Sequence, residues 1–383
     1  MRSTLRRRRL LLAPVAGAVH TACGGAGDLT LLSEAPLVVR PAAIAAPTTL
    51  PPVRFPQDEG PHDVLAEWWY YTGHLREVET ERDFGFELVF FRGVRGDRPP
   101  GYAAHFAVTD VRGGRFAYDQ RQDVALRETP RPTAQHLGAR PAGVVALPPA
   151  GGGFDLQLGT WSMQGVDGRD ALRADMGGYA LSLDLVARKP PALHLGAPPV
   201  QPGLISFGPA GYSYYYSRTR MAAAGTLMVD GRTLQVVGDA WMDHQWGDFL
   251  VLGGGGWDWF ALTLDDDREL TVSIIREERG SVIVAYGTIV GADGEARHLP
   301  PGSFTVDATG RWQSPRSRVS YPSGWRLAVP GERLDLSLVP LLPDQELDTR
   351  ASTGVIYWEG VAGVRDMNGE SVGRGYVELT GYK

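Results

Sequence analysis

The feature that most constrains the fold is an alternation of apolar and polar residues with a period of two. From Phe84 to Phe90 every second residue is large and apolar, and segments 180–185 and 333–338 repeat this pattern. Such residues lie on one face of a β-strand, whereas an amphipathic helix needs a period near 3.6. Further strand candidates are 103–109, 154–164, 212–220, 257–264, 270–276, 282–290, 354–361 and 374–380.

Turn signals separate many of these segments. They include Asp-Gly at 230–231 and 293–294 and Asn-Gly at 368–369, dipeptides that favour tight hairpins. The sequence contains no clear amphipathic segment of helical length. Short strands joined by hairpin turns are typical of sandwiches and up-and-down barrels, so we predict an all-β protein.

A weak internal repeat favours two antiparallel barrels in tandem. Each copy has a glycine, a turn dipeptide, and a second glycine followed by an aromatic residue three positions on and an acid five positions on. The positions are Gly225, Asp230, Gly231, Gly238, Trp241 and Asp243, and then Gly363, Asn368, Gly369, Gly373, Tyr376 and Glu378. Each position recurs about 135 residues later, a spacing that suits one small barrel. In a chain with 49 glycines, coincidence is the alternative.

Composition excludes several classes of protein. The formal net charge is −6, which disfavours binding to nucleic acid or an anionic membrane through bulk charge. The single cysteine, Cys23, rules out an internal disulfide and a cysteine-based metal site. The eight histidines show no H-x-H or HExxH spacing, so we expect no metal. P-loop, dinucleotide-binding and G-x-S-x-G motifs are absent as well, and we expect no cofactor.

The N-terminus has the plan of a bacterial export signal. Five arginines among the first nine residues precede a short apolar stretch, and small residues then lead to Cys23. We predict a lipoprotein-type signal over 1–22 with Cys23 as the lipidation site, which places the protein in the periplasm or on the cell surface. Twin-arginine export, secretion without lipidation and a disordered start with an incidental thiol are the alternatives. Residues 23–50 are predicted to be a tether, 51–248 a first barrel and 249–383 a second.

Glu67 adjoins a run of aromatic residues. In an extended strand Glu67 and Trp69 share one face, while Trp68 lies on the other. A desolvated carboxyl group has a raised pKa and can act as a general acid. The alternative is a buried glutamate paired with an arginine that closes the barrel.

His105 lies in the segment AHFAVTD (104–110), on a mildly polar face opposite Phe106. It could point into a cavity as a catalytic residue. A histidine satisfied by a neighbouring carbonyl is the equal alternative.

The densest polar motif is GDAWMDHQWGDF (238–249). In an extended strand His244 and Trp246 share one face, and Asp243 lies on the other. An aspartate and a histidine can move protons and activate water, and an indole face can stabilise a cation. We therefore predict a catalytic role for Asp243, His244 and Trp246.

Aromatic side chains elsewhere could form the walls of a ligand site. The candidate ligand-binding residues are Trp68, Trp69, Tyr214, Tyr216, Trp257, Asp258 and Trp259. Interleaved tryptophan and tyrosine could also stack on sugars, so carbohydrate binding stays an alternative.

Seven stretches stand in a characteristic order: FPQDEGPHDVLAEWWYYTGHL (55–75), FGFELVFFR (84–92), AHFAVTD (104–110), YYYSRTRM (214–221), GDAWMDHQWGDF (238–249), GWDWFAL (256–262) and YWEG…GRGYVELTGY (357–382). Together they resemble the AttH/carotenoid 1,2-hydratase family of lipocalin-like proteins, over residues 53–383. The resemblance implies two consecutive lipocalin-type barrels.

The resemblance also implies a chemistry. The carotenoid hydratases add water to a terminal isoprenoid double bond without a cofactor, and their barrel-linking motif reads His-Asp-His-Asn-Trp-Gly. Here residues 242–247 read Met-Asp-His-Gln-Trp-Gly, so Asp243, His244 and Trp246 match. Their Tyr-x-Asp pair has no clear equivalent; the nearest acid–aromatic cluster is at 257–259. Related cyclases only shape a polyene, and exported AttH-like members resemble accessory lipoproteins of lipid-exporting ABC systems.

The sequence therefore leaves two candidate functions open. One is an enzyme that hydrates or hydrolyses an isoprenoid or acyl lipid with acid and base residues. The other is a non-catalytic lipid-binding lipoprotein that serves an ABC-type transporter.

Overall fold

The computed structural model describes residues 50–94, 99–124, 145–146, 151–194, 201–207, 211–249, 255–278 and 280–383. These residues form 25 strands, two short 3-10 turns (Gln57–Glu59 and Pro330–Glu332) and no α-helix. Within them, no helix is long and apolar enough to cross a membrane.

Thirteen antiparallel strands form the first sheet. They are β1 (Ala66–Glu77), β2 (Asp83–Gly93), β3 (Gly101–Asp110), β4 (Arg115–Val124), β5 (Val145–Ala146), β6 (Phe154–Leu158), β7 (Trp161–Val166), β8 (Arg169–Met176), β9 (Tyr179–Ala187), β10 (Ala192–Leu193), β11 (Leu204–Ser206), β12 (Tyr212–Val229) and β13 (Arg232–Gly247). Their order is β4-β3-β2-β1-β13-β12-β9-β8-β7-β6-β5, with β10 and β11 paired to β12. Because β4 approaches β6, the sheet curls into a nearly closed barrel, here called barrel 1.

Ten strands form the second sheet, a half-barrel called barrel 2. They are β14 (Gly256–Leu264), β15 (Glu269–Arg276), β16 (Val282–Val290), β17 (Ala296–Leu299), β18 (Thr305–Ala308), β21 (Trp325–Val329), β22 (Leu334–Pro340), β23 (Glu346–Asp348), β24 (Ile356–Asp366) and β25 (Ser371–Thr380). A separate pair consists of β19 (Arg311–Gln313) and β20 (Ser320–Pro322). The prediction of an all-β protein with two lipocalin-like barrels is confirmed.

One predicted strand is wrong. Segment 154–164 was expected to be a single strand, but it forms β6 and β7 with a hairpin between them. Gly159 in that turn has a φ of 64°, a left-handed conformation that glycine adopts without strain. The buried residues lie at even positions up to Leu158 and at odd positions from Trp161 onward, because the two exposed turn residues shift the phase of the alternation.

Alternate residues of the central strands face two different apolar surroundings. Trp69, Tyr71 and Leu75 of β1 point into the core of barrel 1. The intervening Tyr70 packs against Trp259 of barrel 2 in a cluster between the barrels. The outer face of β1 is therefore buried against a second barrel.

The internal repeat corresponds to two hairpins, β12–β13 and β24–β25. Asp230 and Gly231 form the first turn, with φ values of 51° and 80°. Strand β13 pairs with β1, and β25 pairs with β14 in the same way. The repeated aromatic residues, Trp241 and Tyr376, both lie in the cluster between the barrels.

A buried ion-pair network also joins the barrels. Glu269 of β15 is fully buried and accepts bonds from Lys189 (2.9 Å) and Arg220 (2.6 Å), both carried by the barrel 1 part of the chain. An unpaired charge would be costly at this position, so the network favours one arrangement of the two barrels.

Candidate active site

The outer faces of the two barrels leave a cleft of about 390 Å³ between them. Much of its wall is aromatic: Trp68, Phe91, Phe249, Trp257 and Trp259. Four acidic residues contribute to the lining of the same cleft: Glu67, Glu87, Asp243 and Glu378. A mostly apolar cleft with a few converging polar groups is the usual form of a small-molecule site.

Asp243 lies on the cleft side of β13 and is only 4% exposed. Its Oδ2 accepts a hydrogen bond from the Tyr215 hydroxyl (2.6 Å), and its Oδ1 accepts one from the Trp241 indole N–H (2.7 Å). The Ser217 hydroxyl also donates to Oδ1. Burial raises the pKa of Asp243 to about 7, although the three donors oppose that rise. Near neutral pH both protonation states are therefore populated.

Glu378 occupies the equivalent position in barrel 2. Its Oε2 accepts a hydrogen bond from the Trp257 indole N–H at 2.8 Å. Burial raises the pKa of Glu378 to about 7, and the charge of Asp243 adds to the rise. Each acid therefore makes ionisation of the other harder.

Two further glutamates stand beside this pair, one from each barrel. The Tyr357 hydroxyl donates to Glu87 Oε1 (3.0 Å), and the Tyr70 hydroxyl donates to Glu359 Oε1 (2.6 Å). Among the described residues, the other oxygen of each carboxyl has no hydrogen-bond partner. Burial raises the pKa of Glu87 to about 8 and that of Glu359 well above its usual range. The interface thus holds carboxylic acids that keep their protons at neutral pH.

Two buried histidines are each linked to an acid of the cleft through a hydroxyl group. His105 is linked to Glu87, and His194 is linked to Asp243. His105 Nδ1 lies 2.7 Å from the Tyr357 hydroxyl, which bonds Glu87, and its Nε2 lies 3.0 Å from Ser352 Oγ. His194 Nε2 lies 2.6 Å from Ser217 Oγ. Burial lowers the pKa of both rings to about 3, so both are neutral. His105 therefore bonds two hydroxyls, not the carbonyl that was the alternative.

Sequence reasoning missed three residues that line the cleft, Glu87, Tyr215 and Glu378. It also missed three buried residues close to that lining: His194, Ser217 and Glu359. The repeat already equated Glu378 with Asp243, and this was the signal that could have revealed it. Glu87 alternates with core residues and therefore looks like a residue on a solvated face.

Glu67, His62 and His244 form a second polar cluster, inside barrel 1. His244 Nε2 lies 2.9 Å and His62 Nδ1 lies 2.8 Å from the same carboxylate oxygen, Glu67 Oε1. Arg92 Nη1 is 3.8 Å from Glu67 Oε2. The expected rise in the pKa of Glu67 is wrong: burial does raise it, but hydrogen bonds from the two histidines outweigh burial and leave the pKa lowered. Glu67 is therefore an ionised acceptor.

These three residues are also types that could ligate a metal, with ligand atoms within 4.8 Å of one another. Their histidine spacing in the sequence did not predict such a group. Both rings, however, already bond one carboxylate oxygen, and His244 Nδ1 has no hydrogen-bond partner among the described residues. A metal-ligating histidine usually donates its second N–H to a supporting group. We therefore assign this cluster to hydrogen bonding.

Aromatic rings enclose that cluster. The Trp246 ring stacks on His62 at 4.3 Å, and Trp69 stacks on His244 at 4.6 Å. Tyr214 and Tyr216 pack against Trp246 from the same barrel core. The three candidate wall residues Trp69, Tyr214 and Tyr216 thus fill barrel 1 together with Trp246, a catalytic candidate, and all four lie apart from the cleft.

The structure places the predicted site residues in two separate regions. Asp243 faces the cleft, whereas His244 and Glu67 face the barrel 1 core, as their alternation along the strands requires. In barrel 2, Asp258 bonds Arg276 and Tyr382. Its pKa is raised, mainly by burial. Trp68, Trp257 and Trp259 do line the cleft; the catalytic roles themselves stay predictions.

Comparison with known proteins assigns the family. The sequence matches the profile of AttH-like proteins over residues 46–382. The chain belongs to the AttH-like family. Among solved structures, an AttH from Nitrosomonas europaea is 31% identical, over 88% of this chain and 99% of that one, with a TM-score of 0.72. No curated protein matches the sequence.

This AttH-like chain is also similar in fold to kievitone hydratase from Nectria haematococca. The identity is 16%, over 86% of this chain and 93% of that one, with a TM-score of 0.63. At this identity the likeness shows a shared fold. The predicted export signal and the lipidation site at Cys23 lie outside the described residues.

Proposed function

We propose that this AttH-like protein adds water, without a cofactor, to a carbon–carbon double bond of an isoprenoid or acyl lipid bound between its barrels. One observation carries the proposal: buried carboxyl groups with pKa values near or above 7 line an apolar, aromatic cleft. A hydrating enzyme needs a proton donor that is still protonated at neutral pH. The fold shared with a protein named as a hydratase agrees with this.

The reaction balances with the groups present. Protonated Asp243 gives its proton to one alkene carbon and becomes a carboxylate, and the neighbouring carbon becomes a cation. The ring of Trp259 stabilises that positive charge. A water oxygen then bonds to the cation, and its surplus proton returns to a carboxylate of the cleft, Asp243 or Glu378. The apolar walls limit competing reactions of the cation with bulk water.

The second candidate is a lipid-binding lipoprotein that serves an ABC-type transporter. The aromatic lining of the cleft favours it, because apolar walls bind a lipid tail whether or not an acid reacts. It further requires export and lipidation at Cys23, which we retain as proposals.

Two acids on one strand allow a matched test. Asp243→Asn removes the buried proton donor, while Asp239→Asn removes a partly exposed acid four residues away. We would incubate both variants with farnesol, squalene and oleoyl esters, and measure a product mass gain of one water. Turnover should fall at least about 100-fold in Asp243→Asn and stay unchanged in Asp239→Asn.

Native mass spectrometry of protein purified from its own host separates the candidates. Stoichiometric lipid bound equally by the wild type and Asp243→Asn, with no water added to any substrate, would refute the hydratase and favour the binder.

A further inference from the structure

A hydrogen-bonded chain runs from the cleft acid across the interface. The Ser217 hydroxyl bonds Asp243 Oδ1, and Ser217 Oγ lies 2.6 Å from His194 Nε2. On the far side of the ring, His194 Nδ1 lies 2.8 Å from Thr288 Oγ1 of barrel 2. All four side chains are buried, so water competes little for these bonds.

His194 also fixes a second donor to the same acid. Its ring packs against the ring of Tyr215, with centroids 4.1 Å apart, and Tyr215 donates to Asp243 Oδ2. Two of the three donors to Asp243 therefore depend on the position of one imidazole. This ring touches neither the cleft nor a ligand, and so would act as a positioning residue.

Two arrangements of this hydrogen-bonded chain match every donor with an acceptor when the Asp243 proton, if present, lies on Oδ1. A neutral imidazole has one N–H and one acceptor nitrogen, and a hydroxyl donates once. With Asp243 ionised, Ser217 donates to the carboxylate, His194 Nε2–H donates to Ser217 and Thr288 donates to Nδ1. With Asp243 protonated, its O–H donates to Ser217, Ser217 donates to Nε2, and Nδ1–H donates to Thr288.

We infer that His194 switches between its two neutral tautomers as Asp243 gains or loses its proton, and so holds the cleft acid ready in both states. Ser217, His194 and Thr288 keep three protons in total; the imidazole proton exchanges between Nδ1 and Nε2. The proton that Asp243 loses goes to the ligand or to water. This inference deepens the proposed function and rests on it only for its catalytic meaning.

Other titratable groups lie close to the hydrogen-bonded chain from Asp243 to Thr288, and their ionisation affects the pH dependence of His194. Asp243 faces Glu359 and Glu378 of barrel 2, and Tyr286 also lies near it. His298 lies near His194 and disfavours its charged form. Since Glu378 titrates close to Asp243, the switch should have an apparent midpoint that belongs to the pair.

Nitrogen NMR of histidine-labelled full-length protein tests this directly. Between pH 5.5 and 8.5, the two ring nitrogens of His194 should exchange their protonated and unprotonated shifts, with a midpoint near 7. His74 is the internal control, because its Nε2 faces the Gly375 carbonyl at 3.0 Å and must keep its proton at every pH. A constant His194 tautomer over this range would overturn the inference.

Variants then connect the switch to the acid. Asp243→Asn should abolish the pH dependence of His194. Glu378→Gln should keep it and lower its midpoint, because loss of a negative charge eases ionisation of Asp243. Ser217→Ala should disconnect the ring and raise the pKa of Asp243 by about one unit, since the carboxylate loses a donor. A His194 titration that persists in Asp243→Asn would contradict the inference.

The two proposals fail separately. If His194 changes tautomer but the protein hydrates no substrate, the proposed hydratase function is refuted and the inference about His194 is kept. If the protein hydrates a substrate while His194 keeps one tautomer, the inference about His194 is refuted and the proposed function is kept. If the role of His194 is only structural, His194→Gln should lower stability but leave the pH profile of kcat unchanged.

Discussion

Asp239 and Arg374 occupy equivalent positions in the two hairpins, 135 residues apart, and pair with each other at 2.7 Å. Each follows the second glycine of its repeat. Equivalent positions that meet are characteristic of a two-fold interface, in which the same patch packs against itself. The acids Asp243 and Glu378 are related in the same way. The candidate site therefore lies where the two related hairpins meet.

The Asp239–Arg374 pair should contribute little to stability. Both side chains are partly exposed, and such pairs are typically worth less than about 1 kcal/mol. Arg374→Asp should lower the free energy of unfolding by about that amount, and the swapped double variant Asp239→Arg/Arg374→Asp should recover most of it. Urea denaturation of the double-mutant cycle measures this. A loss of several kcal/mol on swapping would show that the pair does more than balance charge.

Stability should fall as the pH rises from about 6.5 to 8.5. The pKa values of Asp243 and Glu378 are raised to about 7 and that of Glu87 to about 8, so the folded state holds protons that the unfolded state has lost. Histidines with lowered pKa values, such as His194 and His244, act in the opposite sense, but only below about 6.5, where unfolded histidine gains its proton. Urea denaturation at several pH values measures how the free energy of unfolding changes with pH.

Glu87→Gln isolates one contribution to that slope. This substitution should reduce the rate at which the free energy of unfolding falls between pH 7 and 8.5. The reduction should be at most about 1.4 kcal/mol per pH unit, which is the effect of one proton. Glu79→Gln, in an exposed turn, is the control and should leave the slope as it is. An identical slope in Glu87→Gln would mean that the folded-state pKa of Glu87 is ordinary.

His244 should matter more to stability than His62, although both bond Glu67 Oε1. His244 is fully buried between aromatic rings, whereas His62 is about one-fifth exposed. His244→Ala leaves a cavity and a poorly compensated buried carboxylate, so we expect a loss of about 3 kcal/mol or more; His62→Ala should cost about 1 kcal/mol. Thermal and urea unfolding give both values. Equal losses would contradict this ranking.

Ligand binding should depend on the cleft tryptophans and not on tryptophans elsewhere in the described part of the chain. Trp257→Ala should weaken binding of farnesol or oleate about tenfold, because an aromatic wall contributes of order 1–2 kcal/mol. Trp312→Ala, in the separate two-stranded sheet, is the control. Isothermal titration of both variants measures the effect. Equal affinities for the wild type and Trp257→Ala would place the ligand elsewhere.

The alternation in β1 and β13 determined which residues share a face. From it, Glu67 falls with Trp69, His244 with Trp246, and Asp243 on the opposite side, and the structure agrees. The repeat likewise gave two hairpins of the same design, because Asp-Gly and Asn-Gly turns act locally. These features depend on neighbours in the chain, which a sequence displays directly.

Only the tertiary structure decided what each face meets. The face with Asp243 and Glu87 could have met water, and the carboxyls would then have kept ordinary pKa values. It meets a second barrel instead, and burial raises those values. Inside barrel 1, two histidines reverse the effect of burial on Glu67. The pKa of an acid depends on partners that lie far away in sequence, and long-range packing alone brings those partners together.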